Sequence, residues 1–289
     1  MRSIPTYKTM SNRAVVRFIC LLVVVVPLMG TLLAIALLWQ QALHVSDLVL
    51  LVTLYSLTTF GVGVGFHRML SHRSFRPHPV VKLFLLILGS MAFQGPPLEW
   101  AATHIKHHAL TDRPGDPHSP VEGLFHAHMG WLFKDSLSDP RVYCRHLLND
   151  KLVIYISWMT PLWFALSLAI PFLLGGWSGL LWGGLVRIFL VNHVFYSVNS
   201  IGHTFGRRPF ETKDRSHNVS LLALLSFGEG WHNTHHAFPR AAILALHWWQ
   251  VDLCGALIWV LERLRLADEV HRISPDVLAR RSPRKADAN

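Results

Sequence analysis

Four long apolar runs alternate with polar stretches along the chain. They cover residues 18–39, 46–66, 153–174 and 177–200. An α-helix of about 20 apolar residues is long enough to cross the ~30 Å hydrocarbon core of a bilayer. The first run is longer than the core of a signal peptide and lacks a small-residue cleavage site, so we expect it to be retained as a helix. The pattern predicts an all-α integral membrane protein with four transmembrane helices, in a single domain over residues 1–289.

Basic residues are distributed unevenly around these runs. The connections at residues 40–45 and at Gly175-Gly176 contain no Lys or Arg, although the opposite ends of the runs carry several. These cations include Arg2, Lys8, Arg68, Arg73, Arg76, Arg207, Arg208 and Lys213. The positive-inside rule therefore predicts that both chain ends and the polar segments beside these cations lie in the cytoplasm. The polar tail over about residues 273–289 is predicted to be mobile.

The composition agrees with a membrane protein and argues against other classes. Hydrophobic residues make up 51% of the 289 residues, and the net charge is +10. Because the cations flank apolar runs, we attribute this charge to contact with anionic lipid headgroups rather than with nucleic acid. The three cysteines, Cys20, Cys144 and Cys254, are scattered, which argues against a disulfide framework and against a thiolate metal site.

A shorter apolar run at residues 80–94 tests the predicted topology. It contains Lys82 and ends at Gly95-Pro96-Pro97. A fifth span here would place the polar segments on either side of it on opposite membrane faces, about 30 Å apart. We therefore predict a helix that lies in the interface or re-enters from the cytoplasmic side.

Three clusters of histidine lie in the polar segments, in the patterns HxxxxH, HxxHH and HxxHH. Their members are His67, His72, His104, His107, His108, His232, His235 and His236. In each HxxHH cluster the three imidazoles lie on one face of a helix. His67 and His72 are about 140° apart around a regular helix, so they converge only if the helix ends or bends between them. Because imidazole is the commonest metal ligand, eight imidazoles on one membrane face predict a multi-histidine metal centre.

Residues outside the clusters extend this prediction. Asn199 and His203 form an i, i+4 pair at the end of the fourth run, and His203 would be a ninth imidazole. His118 and His128 are expected beside the metal ligands rather than among them. The glycine-rich stretch at residues 61–65 lies inside an apolar run, so it predicts close helix packing rather than a dinucleotide-binding loop.

The histidine clusters, in this order, resemble the histidine boxes of membrane fatty acid desaturases. The flanking residues resemble the Δ9, stearoyl-CoA desaturase-like branch of bacterial type. The matching stretches include GFHRMLSHRSF at 65–75, MAFQ at 91–94, EW at 99–100, DPH at 116–118, HMGW at 128–131, NSIGH at 199–203 and GEGWHNTHHAFP at 228–239. The similarity extends over about residues 45–255, and it implies four transmembrane helices beneath a cytoplasmic helical cap that holds a di-iron site.

The resemblance also implies a ligand set. The family's metal ligands fall on His67, His72, His104, His107, His108, His203, His232, His235 and His236, and Asn199 matches an asparagine that contacts one metal through water. Neighbouring carboxylates can accept the second ring N–H of a ligating histidine and so fix its orientation. The candidates are Glu99, Asp112, Asp116 and Glu229. For Asp112, an exposed surface position is an equally good interpretation.

This family chemistry implies an O2-dependent fatty acyl desaturase that introduces a cis double bond. Removal of hydrogen from an unactivated methylene needs an oxidant that iron and O2 can supply and that side chains cannot; zinc could replace iron in a purified form. An external electron donor of ferredoxin, rubredoxin or cytochrome b5 type is implied. It would dock on a basic surface for which the candidates are Arg207, Arg208, Lys213 and Arg215, unless these cations meet lipid headgroups instead.

Several alternatives stay open. Animal acyl-CoA desaturases place Arg-Asp directly before the second histidine box, whereas this chain has Ala102-Thr103, so both acyl-CoA and acyl-lipid substrates are compatible. A membrane di-iron hydroxylase acting on alkanes or lipids would use the same metal site. A metal transporter or sensor is a non-enzymatic alternative, although its ligands should follow a transmembrane path. The absence of a fused cytochrome domain from the sequence favours a bacterial inner-membrane enzyme.

Overall fold

The computed structural model describes residues 13–39, 43–134 and 138–281. Arg2, Lys8, part of the 40–45 connection and the end of the predicted mobile tail lie outside these residues. The α-helices are α1 (Arg13–Trp39), α2 (Val45–Phe60), α3 (Pro79–Ser90), α4 (Pro97–Leu110), α5 (Leu124–His128), α6 (Pro140–Tyr143), α7 (Lys151–Trp158), α8 (Thr160–Gly179), α9 (Arg187–Ser200), α10 (Ser220–Leu225), α11 (His232–Ala237), α12 (Leu253–Arg263) and α13 (Pro275–Arg281). Two π-helical segments cover Gly61–Ser71 and Leu180–Val186, 3₁₀ turns cover Pro120–Glu122, Gly130–Phe133 and Arg145–Asn149, and the short strands β1 (Arg76–Pro77) and β2 (Ala267–Asp268) pair antiparallel.

Three helical stretches among the described residues are long and apolar enough to cross a membrane. They are Arg13–Leu38, Val45–Ser71 and Thr160–Ser200. The third has 41 residues, roughly 60 Å of helix, which is twice the thickness of a hydrocarbon core. Its backbone leaves the helical region at Gly175 and at Gly176, where φ is 59° and ψ is −147°. The stretch therefore consists of two helices that meet at a kink, at the Gly175-Gly176 position where the sequence predicts a connection.

The third apolar run does not form a single helix as predicted. Residues 153–158 belong to α7, and α8 starts at Thr160. Pro161 occupies the first turn of α8, where its missing N–H is tolerated but where it prevents α7 from continuing through it. The run predicted over 153–174 is consequently divided between two helices.

The apolar run predicted to stay on one side of the membrane forms α3. This helix has 12 residues, so it is about 18 Å long and too short to span a bilayer. The Met91 carbonyl, directly after the end of α3, accepts hydrogen bonds from Ser167 Oγ at 2.7 Å and from Arg187 Nη1 at 2.9 Å. The end of α3 is thus fastened to α8 and α9.

The chain divides into two compact units. The first comprises Met1–Val62, Leu83–Thr103 and Leu132–His193, and the second comprises Gly63–Lys82, His104–Trp131 and Val194–Asn289. In the first unit, Ala34 packs with Leu181 and Val186. A Cβ atom at Gly61 would lie 2.1 Å from the backbone nitrogen of Gly89. The backbone at Gly61 therefore packs directly against the backbone of α3, which is the close helix packing that the glycine-rich stretch predicts.

The second unit contains all nine histidines of the predicted ligand set. One of its apolar clusters lies around α11 and includes Phe210, Ala223, Trp231, Ala237, Phe238, Ala241 and Leu244. The β1–β2 pair places Arg76 opposite Asp268, which joins the segment after the first histidine cluster to the segment after α12.

Candidate metal centre

The first histidine cluster lies at the end of a π-helix. In this segment the hydrogen bonds run from i to i+5, and the N–H of His72 donates to the carbonyl of His67 at 3.1 Å. The two rings have a centroid separation of 4.8 Å. We expected the helix to end or bend between them. The helix does end between them, at Ser71, and it is a π-helix there. The additional residue per hydrogen-bonded turn brings positions five apart towards one face.

The second and third clusters lie on α-helices, as their spacing predicts. His104, His107 and His108 lie on α4, whereas His232, His235 and His236 lie on α11. With six residues, α11 is too short to be stable by itself. Asparagine side chains from within and outside the helix support it: Asn218 Oδ1 accepts from the Thr234 N–H at 3.0 Å, and Asn233 Oδ1 accepts from the Phe210 N–H at 2.9 Å.

The nine imidazoles form two clusters. In the five-histidine cluster, one ring nitrogen from each residue lies within 4.8 Å of the others, and its members are His67, His72, His104, His108 and His235. The four-histidine cluster has the same property, and its members are His107, His203, His232 and His236. Nε2 atoms face each other at 2.7 Å between His72 and His104 and at 2.8 Å between His203 and His232. All three sequence clusters contribute to this arrangement, and His203 joins it from the turn after α9.

Carboxylates lie behind four of these imidazoles. The Nδ1 to carboxylate distances are 2.5 Å for His67 and Glu229, 2.9 Å for His107 and Asp116, 3.2 Å for His203 and Asp112, and 3.0 Å for His236 and Asp214. A carboxylate in this position holds the proton on Nδ1 and leaves Nε2 with a free lone pair. These lone pairs point into the clusters, so the arrangement is suited to a cation.

His107 gives the most direct test of whether a metal fits. Its side chain is fully buried, and its Nδ1 atom donates to Asp116. Its Nε2 atom has no hydrogen-bond partner among the described residues. A buried acceptor without a partner is costly, and a metal ion would supply the missing interaction. Nitrogen donors of this kind suit Fe²⁺ and Zn²⁺.

Burial favours the neutral form of seven cluster histidines. It lowers the pKa well below the ordinary value for His72, His104, His107, His108, His232, His235 and His236, and neighbouring imidazoles lower it further. Neutral imidazole is the form that binds a metal. The uncharged state at neutral pH is therefore the metal-binding state.

The supporting carboxylates respond differently to burial. Burial acts to raise the pKa of Glu229, but the charge of Arg68 and the hydrogen bonds from His67 and Arg68 outweigh it and hold that pKa below its usual value. Burial likewise opposes ionisation of Asp112, and its hydrogen bond with His203 more than compensates, so its pKa is lowered. For Asp116 burial dominates, and its pKa is raised.

The remaining predicted residues occupy varied positions. Asn199 lies one residue before the end of α9, partly buried. The ring of His118 lies 4.3 Å from that of His107, and His128 Nδ1 lies 3.0 Å from the hydroxyl of Ser200. His118 therefore lies beside the four-histidine cluster without belonging to it, whereas His128 contacts the end of α9. Glu99 lies in the first turn of α4, five residues before His104.

Arg68 differs most from its predicted role. The charge pattern grouped it with cations at a lipid headgroup surface, but it is only 1% exposed. Its Nε atom lies 3.0 Å from Glu229 Oε1, and its Nη2 atom lies 2.8 Å from Asp252 Oδ1. Gly228 makes room for this network, because a Cβ atom there would lie 2.2 Å from Asp252 Oδ1. Arg68 thus links the five-histidine cluster to the start of α12, which Asp252 caps.

Asp214 and Asp252 were not predicted from the sequence. Asp214 lies between Lys213 and Arg215 in a basic segment, and an acid flanked by two cations was the available signal. Asp252 lies sixteen residues beyond the third histidine cluster, where no local spacing connects it to Arg68.

Comparison with known proteins places these features in a family. Residues 46–261 match the fatty acid desaturase family model. The chain is 42% identical over 267 residues to the hex-5-enoyl-[acyl-carrier protein] acetylenase of Moorena producens. The aligned residues cover 85% of this chain and 83% of that protein. It is 40% identical over 213 residues to the sn-1 stearoyl-lipid 9-desaturase of Anabaena variabilis, with 73% and 78% covered. It is 38% identical over 220 residues to Delta-9 acyl-lipid desaturase 1 of Arabidopsis thaliana, with 75% and 72% covered.

The family match includes both histidine clusters and the helices that carry them. Identities of about two fifths over most of each chain accompany a site made of buried, carboxylate-oriented imidazoles. The chain belongs to the fatty acid desaturase family, and it is an oxidoreductase that desaturates fatty acyl chains.

Proposed function

We propose that this protein uses two iron ions and O2 to introduce a cis double bond at the Δ9 position of a lipid-bound or CoA-bound acyl chain. The observation that carries the proposal is the pair of buried clusters of five and four histidines, several with their proton fixed on Nδ1 by a carboxylate. Two such clusters suit two metal ions of the same kind.

The roles of individual residues follow from this arrangement. The ions would be held by His67, His72, His104, His107, His108, His203, His232, His235 and His236, and Asn199 would contact one of them through water. Asp112, Asp116, Asp214 and Glu229 would orient four of the imidazoles. Bound iron would supply the oxidising power for removing hydrogen from an unactivated methylene.

The protein contributes the surroundings of this chemistry. Burial excludes water from imidazoles such as those of His107 and His235 and favours their uncharged form, and the carboxylates preset ring orientation before a metal arrives. Desaturation by O2 removes two hydrogens from the acyl chain and forms two waters, so it also consumes two protons and two external electrons. A separate electron donor is therefore part of the proposal.

The position and head group rest on the names of the relatives. Two of the relatives described above are named as 9-desaturases of acyl-lipids, and a third is named for a chain bound to acyl-carrier protein. Since the two lipid-specific relatives share the Δ9 position, we propose Δ9 acyl-lipid desaturation first and acyl-CoA as the second substrate form.

We also propose four membrane spans, with the metal centre and both termini in the cytoplasm of a bacterial cell, at its inner membrane. The break at Gly175-Gly176 supports division of the 41-residue stretch into two spans. Basic residues at one set of helix ends support the orientation. Fusion of a periplasmic reporter at the Gly175 connection and at Arg280 would test this topology, with activity expected only at Gly175.

The proposed activity is tested by fatty-acid profiling of bacteria that express the chain and lack their own Δ9 desaturase. We expect a new cis-9 monounsaturated acyl species, located by mass spectrometry of its derivatised double bond. A His235→Ala variant should lose the product and should bind less iron. A hydroxylated acyl chain in place of the alkene would contradict desaturation, and full product formation by the variant would contradict the site.

A further inference from the structure

Residues 245–251 form an aromatic loop on the surface of the second unit. Trp248 is 97% exposed and Trp249 is 51% exposed. The ring of His247 stacks on that of Trp249 at a centroid distance of 5.7 Å. Tryptophan is enriched among the residues that dominate binding energy at protein interfaces, and its exposure to water is unfavourable. The aromatic loop is therefore a candidate contact surface.

Hydrogen bonds hold the aromatic loop in shape. Gln250 Oε1 accepts from the backbone N–H groups of Leu246 and His247, at 2.5 Å and 3.1 Å. The indole N–H of Trp231 donates to the Val251 carbonyl at 2.8 Å. A surface that is already ordered loses little conformational entropy when a partner binds.

A basic segment, residues 207–215, lies beside the aromatic loop. Its exposed cations are Arg207, Arg208, Lys213 and Arg215. Of its two acids, Asp214 is directed towards His236, so the outward surface of the segment is dominated by positive charge. Such a surface attracts an acidic partner and accelerates its association.

A cavity of about 270 Å³ joins the two features. Pro209 and Phe210 of the basic segment line it together with Leu246, His247 and Gln250 of the aromatic loop, and Thr234 contributes from α11. Thr234 lies between His232 and His235 in the sequence. A partner side chain that enters this cavity would therefore approach the helix that carries the third histidine cluster.

Both features connect to the four-histidine cluster. Trp231 meets Trp249 edge-on at a centroid distance of 5.8 Å, and it directly precedes His232 in the chain. Asp214 accepts a hydrogen bond from His236 Nδ1 at 3.0 Å. Covalent and hydrogen-bonded contacts transmit electrons more effectively than gaps through space. These are short routes from the surface to two imidazoles of one cluster.

We propose that the aromatic loop and the basic segment form the docking surface for a small acidic electron-carrier protein, whose electrons enter at the four-histidine cluster. The inference rests on the proposed function, which consumes two external electrons per double bond. Carboxylates around the redox centre of the carrier would meet Arg207 and Lys213, and Trp248 would pack at the middle of the contact. Encounters for electron transfer are transient and bury little area, which suits a surface of one loop and one short segment.

A bilayer headgroup region is the other surface that accepts exposed tryptophan and arginine. The cavity between the two features and their direct connections to the metal cluster favour a redox protein, because a lipid contact uses neither.

The test measures how fast the iron-loaded full chain, purified in detergent, is reduced by acidic carriers in a stopped-flow experiment. A plant-type [2Fe–2S] ferredoxin, a rubredoxin and a cytochrome b5 are compared on the wild-type protein, and the fastest is used for the variants. We expect Trp248→Ala and the double variant Arg207→Glu, Lys213→Glu each to lower the second-order rate constant on the order of tenfold. The double variant should also lose the salt dependence of that rate. Trp259→Ala and Arg141→Glu, both at exposed positions elsewhere, are the matched controls and should match wild type.

Reduction by dithionite separates failure of this inference from failure of the proposed function. Suppose the dithionite-reduced wild type desaturates its substrate, but no carrier reduces it or the two docking variants react at the wild-type rate. The docking surface is then wrong and the desaturase assignment stands. If the dithionite-reduced wild type forms no double bond, the proposed function fails. Quenching of Trp248 fluorescence by brominated lipid in nanodiscs, measured against Trp248→Phe, would place the loop in the bilayer and overturn the docking proposal.

Discussion

The two histidine clusters use the same side chain but are supported in different ways. Behind the five-histidine cluster, the buried Glu229 forms an ion pair with Arg68, and Arg68 forms a second ion pair with Asp252. Behind the four-histidine cluster, three aspartates each accept from one histidine. None of those aspartates pairs with a Lys or Arg side chain in the part of the chain that the structure describes.

The two clusters therefore differ in the negative charge that lies behind their imidazoles. Glu229, Arg68 and Asp252 contribute −1, +1 and −1, which leaves −1 behind the five-histidine cluster, whereas three aspartates leave −3 behind the other. Charge should therefore contribute more to cation binding at the four-histidine cluster. The five-histidine cluster should instead depend on an ion network that fixes where His67 points.

Acidification should have the largest effect, because it acts on imidazoles in both clusters. Seven of the histidines have a folded-state pKa well below 6.5, so the unfolded chain binds more protons than the native one below about pH 6.5. Native stability is then fully present above that pH and falls as the pH drops towards the folded values. Each histidine contributes up to about 1.4 kcal/mol per pH unit. Thermal unfolding of the metal-free protein between pH 7.5 and 5.5 measures this, and a constant midpoint would contradict it.

The same pH series with the metal-loaded protein should distinguish the two clusters. Bound metal competes with protons for the imidazoles, so the loaded protein should keep its stability to lower pH. The pKa of Asp116 is raised by burial, whereas Arg68 and His67 keep that of Glu229 low. The four-histidine cluster should therefore lose carboxylate support first, and metal should leave in two steps. Release in one step would mean that the clusters do not differ in this respect.

Arg68→Met should cause the next largest change. It removes the guanidinium and leaves Glu229 and Asp252 as buried carboxylates without their cation. Removal of one partner from a buried pair typically costs about 3–5 kcal/mol. We expect a lower unfolding midpoint in detergent together with loss of metal from the five-histidine cluster. Arg76→Met removes an arginine from an exposed pair with Asp268, where solvent screening leaves little contribution to stability, so the unfolding midpoint should barely change. Equal effects of the two variants would contradict a special role for the buried network.

The contrast between local and long-range contacts also explains what the sequence could predict. The i, i+3, i+4 spacings of the second and third clusters are local, and α4 and α11 carry them as expected. His203 was found because Asn199 precedes it by one helical turn. The sequence predicts that the helix departs from regular geometry between His67 and His72, because their two rings must converge. It does not predict a π-helix, because several backbone conformations would bring the rings together.

Long-range partners carry no such signal. Arg68 and Asp252 are 184 residues apart, and no local spacing in the sequence connects the two positions. A positive charge beside an apolar run predicts a headgroup contact on average, so the burial of Arg68 could not be foreseen from its neighbours. The break inside the 41-residue stretch, by contrast, has a local signal in the sequence, namely the paired glycines Gly175 and Gly176.

Asp116→Asn should have the smallest and most selective effect. The amide can still accept from His107 Nδ1, but it removes one negative charge behind the four-histidine cluster. Loss of such a supporting group typically lowers metal affinity about 10–100-fold. We expect that loss at one of two sites in a chelator competition titration, with the second site unchanged.

Glu229→Gln should weaken the opposite site, because it disturbs His67 and Arg68 together. Asp139→Asn, at an exposed helix cap, is the control and should alter neither site. If Asp116→Asn weakened both sites equally, the carboxylates would act on the metal pair as a whole and the distinction between the clusters would fail.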